Sequence, residues 1–264
     1  MDSEPIPLSP AEDTKELAAD PGWALFFDFD GTLVDIAPQP RMVHLSPSMR
    51  YTVLNLFRLL GGAVAVITGR PLADIDRHTG LPDLPIAGSH GLEVRAWRKA
   101  SPCIDHLRPL VDRACDAVER LAGQREGLLV ERKPAGVALH YRARPDLKEE
   151  LGTAMAVIAA ETSGIELMPS KMVWELRPEG ATKGTAIRDL MQAPPFAGRR
   201  PVFIGDGVSD EDGFEAVQAF GGFGIKIGDG ETRARYSVPS ATIARALLHR
   251  WLEELTPAHQ RAFA

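Results

Sequence analysis

Apolar runs alternate with amphipathic segments along most of the chain. Buried-strand patterns occur at WALFFDFD, AVAVITGR, LPIAGSHG, RPVFIGDG and GFGIKIG, and helical patterns at SPSMRYTVLNLFRLLGG, ATKGTAIRDLMQ and SDEDGFEAV. Continuous apolar strands separated by helices are typical of a parallel sheet that is covered by helices on both faces. The pattern therefore predicts an α/β fold with a mainly parallel sheet.

The middle of the chain follows a different pattern. An amphipathic helix (DHLRPLVDRACDAVERLAG) precedes a hairpin of two alternating runs (GLLVERK and VALHYR), and a second helix and two more strands follow. Helix, hairpin, helix and two strands form a self-contained α+β unit. We therefore predict an inserted domain at 103–178 between two parts of one α/β core, 21–102 and 179–264.

The flanks of these domains carry proline. We expect linkers near Ser101-Pro102 and Arg177-Pro178, and paired linkers would suit a hinge that closes the inserted domain over the core. Residues 1–20, which are acidic and rich in proline, are expected to form a loose tail or one short helix.

Composition narrows the function classes. The chain of 264 residues is 44% apolar and 25% charged, as a packed globular protein requires. Its net charge of −6 argues against a general nucleic-acid or membrane surface, and no apolar run approaches a membrane span. The N-terminus lacks the pattern of a secretion signal, so we predict a cytoplasmic protein. The two cysteines fit no zinc spacing.

Four of the predicted strands end in polar turns. Ligands of open parallel sheets bind beyond the carboxyl ends of the strands, so side chains in these turns are expected to converge. The chemically active members are Asp28, Asp30, Thr68, Arg70, His90, Asp206 and Asp210. Clustered carboxylates repel one another, and a hard divalent cation such as Mg²⁺, which prefers oxygen ligands, removes that repulsion.

Asp28 and Asp30 are separated by one residue at a strand end. Both could be ordinary turn or cap residues, because aspartate favours those positions. The chemical alternative is that one aspartate attacks phosphorus to form an aspartyl-phosphate, while the other serves as general acid and then as general base.

DFDGTLVD resembles the first motif, DxDGT, of the haloacid-dehalogenase (HAD) phosphohydrolases. The other motifs of that superfamily occur in order: a threonine that ends the second strand (Thr68), a lysine that opens a later helix (Lys183) and a GDxxxD turn (Asp206 and Asp210). The resemblance implies a Rossmann-like parallel-sheet hydrolase core with an inserted α+β cap domain.

Longer strings, over roughly residues 23–230, resemble the trehalose-6-phosphate phosphatase family. They are DFDGTLVDIAPQP, VITGRP, GSHGLE, ERKPAGVALHYR, VWELRPEGATKG and GDGVSDEDGF. This resemblance implies a Mg²⁺-dependent enzyme that releases phosphate from trehalose 6-phosphate, the last step of trehalose biosynthesis. A separate trehalose-phosphate synthase is a candidate functional partner, since this chain is too short to contain one.

The resemblance assigns roles to the polar turns. Asp28 would be the nucleophile and a metal ligand, and Asp30 the acid/base that lends its carbonyl oxygen to the metal. Thr68 and Lys183 would hold phosphoryl oxygens. Asp206 would bind Mg²⁺ directly, and Asp210 would orient the waters of the metal.

In the inserted domain, alternation places Glu131 and Lys133 on one face of their strand, and Glu175 on the polar face of another. Such a face is commonly only solvated. The resemblance implies instead that these three side chains bind sugar hydroxyls. Weaker candidates for lining the cleft are Arg70, His90, His140 and Arg142.

One departure from the family pattern is Gly207, which stands where the family has a second aspartate after Asp206. It leaves the outer shell of the metal site open. Two alternatives to the implied function remain: a phosphatase for another sugar phosphate, such as sucrose 6-phosphate or a mannosyl-phosphoglycerate, and a non-catalytic sugar-phosphate sensor.

Overall fold

The computed structural model describes residues 5–8, 17–37, 42–95, 107–123, 125–133, 135–170 and 172–257. The chain divides into two compact units. We call Met1–Ala100 with Thr182–Ala264 the core unit and Ser101–Ala181 the inserted unit. The expected linker at Ser101-Pro102 lies outside the described residues.

The regular elements are numbered along the whole chain. The strands are β1 Ile6–Pro7, β2 Trp23–Phe27, β3 Val64–Ile67, β4 Ile86–Gly88, β5 Glu93–Arg95, β6 Leu129–Lys133, β7 Gly136–His140, β8 Ile165–Ser170, β9 Val173–Pro178, β10 Arg200–Gly205, β11 Phe223–Ile227 and β12 Tyr236–Val238. The helices are α1 Pro47–Leu59, α2 Leu72–Thr79, α3 Arg108–Ala122, α4 Lys148–Glu161, α5 Lys183–Leu190, α6 Glu211–Ala219 and α7 Ala241–Leu255.

The core unit is built on one sheet with the order β1-β12-β11-β10-β2-β3-β4-β5. Its neighbouring strands are parallel except for the β4–β5 pair, which is antiparallel. In the centre, Ile204 lies opposite Phe27, which lies opposite Val66. The carboxyl ends of β10, β2 and β3 therefore meet at one edge, as the apolar pattern predicted.

Aromatic side chains fill the space between this sheet and its helices. Trp23 meets Trp251 of α7 at a centroid distance of 5.0 Å, and Phe26 stacks on Phe196 at 5.3 Å. All four are buried. β2 is buried along its whole length, and Asp28 follows it directly. The chain therefore passes from the apolar interior to the polar edge of the sheet at Asp28.

The N-terminal segment differs from the expected tail or short helix. Ile6–Pro7 forms an edge strand parallel to β12, and Leu17 is buried in the core. An edge position suits a proline, which has no N–H to donate to a second neighbour.

The inserted unit is a four-stranded antiparallel sheet with the order β6-β7-β9-β8. Its apolar core draws on one face of the sheet and on both helices of the unit; the principal members are Val111, Cys115, Val118, Val137, Leu139, Leu151, Met155 and Leu176. The expected hairpin and both helices are present.

The second expected linker, Arg177-Pro178, is instead the end of β9. Pro178 lies opposite Ile165, and Arg177, which is buried, pairs with Glu166 at 2.7 Å. Sheet pairing therefore extends through Pro178, so a linker at this end of the unit begins only after that residue.

Among the described residues, α3 and α7 are the longest helices at 15 residues each. No helix in this part of the chain has the length and apolar character needed to cross a membrane.

Candidate active site

A buried lysine joins two carboxylates at the polar edge of the core sheet. The Nζ of Lys183 lies 2.8 Å from Oδ1 of Asp28 and 2.6 Å from Oδ1 of Asp210. All three residues are buried, at 3%, 6% and 0% exposure. A charge removed from water is tolerated only when it is paired, so each member of this triad requires the others.

Local structure brings Lys183 to this point. Thr182 caps α5 and forms a reciprocal capping box with Thr185, so Lys183 is the first helical residue. A cation is unfavourable beside the positive end of a helix. The two carboxylates offset this, and they hold the pKa of Lys183 above its ordinary value although burial alone would lower it.

A third carboxylate, Asp206, follows β10 in the same region. A Cβ on Gly31, which has a φ of +76°, would lie 2.1 Å from Oδ2 of Asp206. Only glycine therefore allows the turn after β2 to approach this carboxylate. The main-chain carbonyl of Asp206 accepts a hydrogen bond from Lys226, a buried lysine of β11.

The three carboxylates of Asp28, Asp206 and Asp210 each offer an oxygen within 4.8 Å of the others. Burial raises the pKa of Asp28 well above its ordinary value against the opposing effect of Lys183, and burial followed by Asp210 raises that of Asp206. These groups are costly to ionise together, so an additional cation would stabilise them.

The donor set suits a hard divalent cation that keeps several waters. Asp210 already accepts from Lys183 through Oδ1 and from the Gly207 N–H through Oδ2. Because both its oxygens are engaged, Asp210 fits an outer position better than a direct ligand. Asp28 and Asp206 are the side chains best placed to bind the metal.

Asp30 is engaged by an arginine. Its two oxygens accept from Nε and Nη2 of Arg70 at 2.6 and 2.7 Å. Arg70 also donates to Asp74 at 3.1 Å and lies over the ring of Phe29. The pKa of Arg70 is raised, because these carboxylates outweigh the lowering by burial. Arg70, expected to line the substrate cleft, thus holds the proposed acid/base.

Thr68 leaves β3 at the same edge and is 1% exposed. Its Oγ1 accepts from the N–H of Arg70 at 3.1 Å, which orients the hydroxyl while its own proton can still be donated. His90 lies against the next residue of this turn, since a Cβ on Gly69 would be 2.7 Å from Nε2 of His90.

The candidate residues of the inserted unit pair with one another. Lys133 contacts Glu175 at 2.8 Å, and His140 contacts Glu131 at 2.9 Å. Glu131, Ala138 and Glu175 lie opposite one another on neighbouring strands. Arg142, a weaker candidate for lining the cleft, is exposed and lies beyond the end of β7, which ends at His140.

Three participants were not anticipated from the sequence. Asp74 supports Arg70 from position i+4, Glu93 accepts from Ser89 at 2.6 Å, and Lys226 binds the Asp206 carbonyl. The sequence offers a signal for Lys226 alone, which is a lysine inside the apolar run GFGIKIG. Because a lysine is almost never buried without a partner, its place in a buried strand indicates a polar partner nearby.

The sheet order and the polar side chains at its carboxyl edge define a class of protein. Aspartates after β2 and β10, a threonine after β3 and a lysine opening α5 are the arrangement of the haloacid-dehalogenase-like hydrolases, and the solved structures that match this chain are of that class.

A family model described as trehalose-phosphatase matches residues 26–241, so the chain belongs to the trehalose-phosphatase family and is a phosphatase. It is 39% identical over 234 residues to a probable trehalose-phosphate phosphatase of Sinorhizobium fredii, covering 86% of each chain. It is 35% identical over 253 residues to the trehalose-6-phosphate phosphatase of Escherichia coli, covering 96% of this chain and 92% of that protein.

A crystal structure of a trehalose-6-phosphate phosphatase related protein superposes with a TM-score of 0.74 at 27% identity. The match covers 87% of this chain and 96% of that one. The sequence-based assignments of fold class, family and enzyme type are therefore confirmed.

Asp206→Asn is expected to stabilise the metal-free protein, because the raised pKa of Asp206 disfavours its ionised form. Below the ordinary aspartate pKa of about 3.9 the carboxyl is protonated in both states and the two proteins should match. As the pH rises through the folded-state pKa of Asp206, the wild type loses more stability than the variant, which retains only the contribution of Asp28. Melting temperatures in EDTA should diverge, by about 2–4 °C per kcal/mol, and a less stable variant at neutral pH would contradict this.

Gly207→Asp is expected to fold and to bind Mg²⁺ severalfold more tightly. Gly207 has an ordinary φ of −103°, and a Cβ there would meet only Asp210 and Ser209, at 3.5 Å or more. The added carboxylate should also lower the melting temperature without metal, through repulsion by its neighbours. Calorimetric titration with Mg²⁺ tests this, with the uncharged Gly207→Asn as the matched control. Equal affinities for both variants would refute the charge argument.

Proposed function

We propose that this phosphatase releases phosphate from trehalose 6-phosphate in a Mg²⁺-dependent reaction that passes through an aspartyl-phosphate on Asp28. The observation that carries the proposal is the buried contact of Asp28 with Lys183, within the cluster formed with Asp206 and Asp210. The family membership supports the substrate class.

Asp28 and Asp206 would hold the Mg²⁺, with the carbonyl oxygen of Asp30, as the family resemblance implies. When bound, the metal would neutralise the carboxylates and the phosphate oxygens, so that an anionic ester can approach an anionic nucleophile. Lys183 would stabilise charge on the phosphoryl oxygens, and Thr68 would donate a hydrogen bond to one of them.

The chemistry divides into two displacements at phosphorus. In the first, a carboxylate oxygen of Asp28 forms a bond to phosphorus while the bond to the sugar oxygen breaks, and protonated Asp30 gives its proton to that oxygen. In the second, Asp30, now ionised, takes a proton from the water that attacks phosphorus. The bond to Asp28 breaks, and inorganic phosphate leaves.

The Asp30–Arg70 pair bears on the first step. Both oxygens of Asp30 accept from Arg70, whereas a carboxylic acid carries its proton on one of them. The pair must therefore open, at least at one oxygen, before Asp30 can donate. Asp74 offers the guanidinium an alternative acceptor at 3.1 Å.

Sugar recognition is assigned to the polar face of the inserted unit. We propose that Glu131, Lys133 and Glu175 bind the hydroxyls of the substrate, with carboxylates as acceptors and the ammonium as donor. His140 pairs with Glu131, so it would orient that carboxylate. Assignments of domain roles, cytoplasmic location and pairing with a synthase stay predictions from the sequence.

Phosphate release from a panel of esters tests the substrate. With Mg²⁺, trehalose 6-phosphate is expected to exceed sucrose 6-phosphate, a mannosyl-phosphoglycerate and p-nitrophenyl phosphate by orders of magnitude in kcat/KM. EDTA should abolish the activity and added Mg²⁺ restore it. Comparable rates on several sugar phosphates would leave a phosphatase of another specificity, and full activity in EDTA would remove the metal from the mechanism.

Asp28→Asn tests the covalent step. It should lower kcat on the order of 10³-fold or more, because an amide oxygen is a poor nucleophile. Asp35→Asn is the matched control, since Asp35 is an exposed aspartate whose described partner is Arg245. Rapid quenching of the wild type should trap phosphate on the protein, and the Asp28 variant should carry none. Turnover that survives in Asp28→Asn would exclude this nucleophile.

A further inference from the structure

The turn Ser89-His90-Gly91 has an uncommon backbone. Ser89 and His90 have φ values of 47° and 57°, in the left-handed region that residues with a Cβ seldom adopt. The other non-glycine residue with positive φ in the described part of the chain is Met172, at 62°. Consecutive residues in such a conformation persist only where the surroundings hold them, and they tend to occur at functional sites.

One side of this turn holds the chain around Thr68. The N–H of His90 donates to the carbonyl of Thr68 at 2.9 Å, and the N–H of Ser89 donates to the carbonyl of Arg70 at 2.9 Å. These two bonds secure the main chain on both sides of Gly69, where the His90 ring leaves no space for a side chain. The turn thus holds the main chain that carries Thr68, together with the hydrogen bond from the Thr68 N–H to the carbonyl of Ala87 at 2.8 Å.

The opposite side of the turn meets the helix that carries Lys183. A Cβ on Gly91, which has a φ of +102°, would lie 2.9 Å from the Cβ of Ala186 in α5. The turn therefore lies between the end of β3 and the start of α5. These two elements supply the two side chains proposed to hold phosphoryl oxygens.

A side-chain network secures the turn from behind. The hydroxyl of Ser89 donates to Oε2 of Glu93 at 2.6 Å, and the same oxygen accepts from the N–H of Leu72 at 3.3 Å. Leu72 opens α2, which carries Asp74. The network thus links the turn to the helix that supports Arg70.

We propose that Ser89–Gly91 is a positioning element that sets the separation of Thr68 and Lys183, and that His90 acts through its left-handed main chain rather than through an imidazole contact with the sugar. This inference rests on the proposed function, since it concerns how the phosphoryl group is held. It replaces the expectation that His90 lines the substrate cleft.

A series at His90 separates the main chain from the imidazole. His90→Val places a β-branched residue in a left-handed position, so the turn should relax in the unliganded protein. Phosphate binding must then restore the strained turn, which should weaken inhibition by inorganic phosphate about tenfold. His90→Gly and His90→Asn, which accept positive φ, should retain wild-type phosphate affinity although both lack the ring. The readout is competitive inhibition of p-nitrophenyl phosphate hydrolysis with Mg²⁺, because this ester has no sugar to recognise.

Met172→Val is the matched control, since it imposes the same backbone strain in the inserted unit. It should lower the melting temperature as His90→Val does and leave the phosphate inhibition constant at the wild-type value. If His90→Val does not fold, His90→Ala provides a milder strain with the same expected direction.

Two results would overturn the inference. One is a loss of phosphate affinity in the Gly and Asn variants equal to that in the Val variant, which would assign the effect to the imidazole. The other is an unchanged inhibition constant throughout the series. The proposed function has a separate test. It would be overturned by a wild type that neither hydrolyses the esters nor is inhibited by phosphate, whereas the two results above concern the variants alone.

Discussion

The contact of Lys183 with Asp28 and Asp210 is the interaction on which the site depends. Each group is almost fully buried, and each would be unfavourable without the others. Because the three side chains come from the end of β2, the start of α5 and the turn after β10, their pairing also ties these elements together. The ion pairs that neutralise these buried charges therefore also bring together the chain segments at which phosphorus is proposed to react.

The same edge of the sheet carries more carboxylates than lysines that pair with them. The carboxylates of Asp28, Asp206 and Asp210 cluster there, Lys183 pairs with Asp28 and Asp210, and Lys226 donates only to the main-chain carbonyl of Asp206. Burial and mutual repulsion raise the pKa of Asp28 and of Asp206. A site of this kind gains stability when a cation or a metal-bound phosphate ester arrives, so the strain in the resting protein is the physical basis of its proposed affinity.

The proposed function divides the work between the two units. Groups suited to chemistry at phosphorus lie in the core unit, at the edge of its parallel sheet. The inserted unit carries the ion pairs Lys133–Glu175 and His140–Glu131, whose members would exchange each other for sugar hydroxyls under the proposed function. Paired polar groups of this type favour a ligand that replaces every lost hydrogen bond, which is how a site rejects a sugar of the wrong shape.

The sequence by itself determined the central strands and the helices α1, α5 and α6 of the core unit, the strands and helices of the inserted unit, and the candidates Asp28, Lys183 and Asp206, because apolar periodicity and motif spacing are local properties. Only the tertiary structure decided that Arg70 holds Asp30 and that Ile6–Pro7 completes the sheet edge. Likewise only the fold showed that Arg177 is buried and pairs with Glu166 on the neighbouring strand. Such partners lie far apart in the chain, and side chains choose them by distance and burial, which no local pattern records.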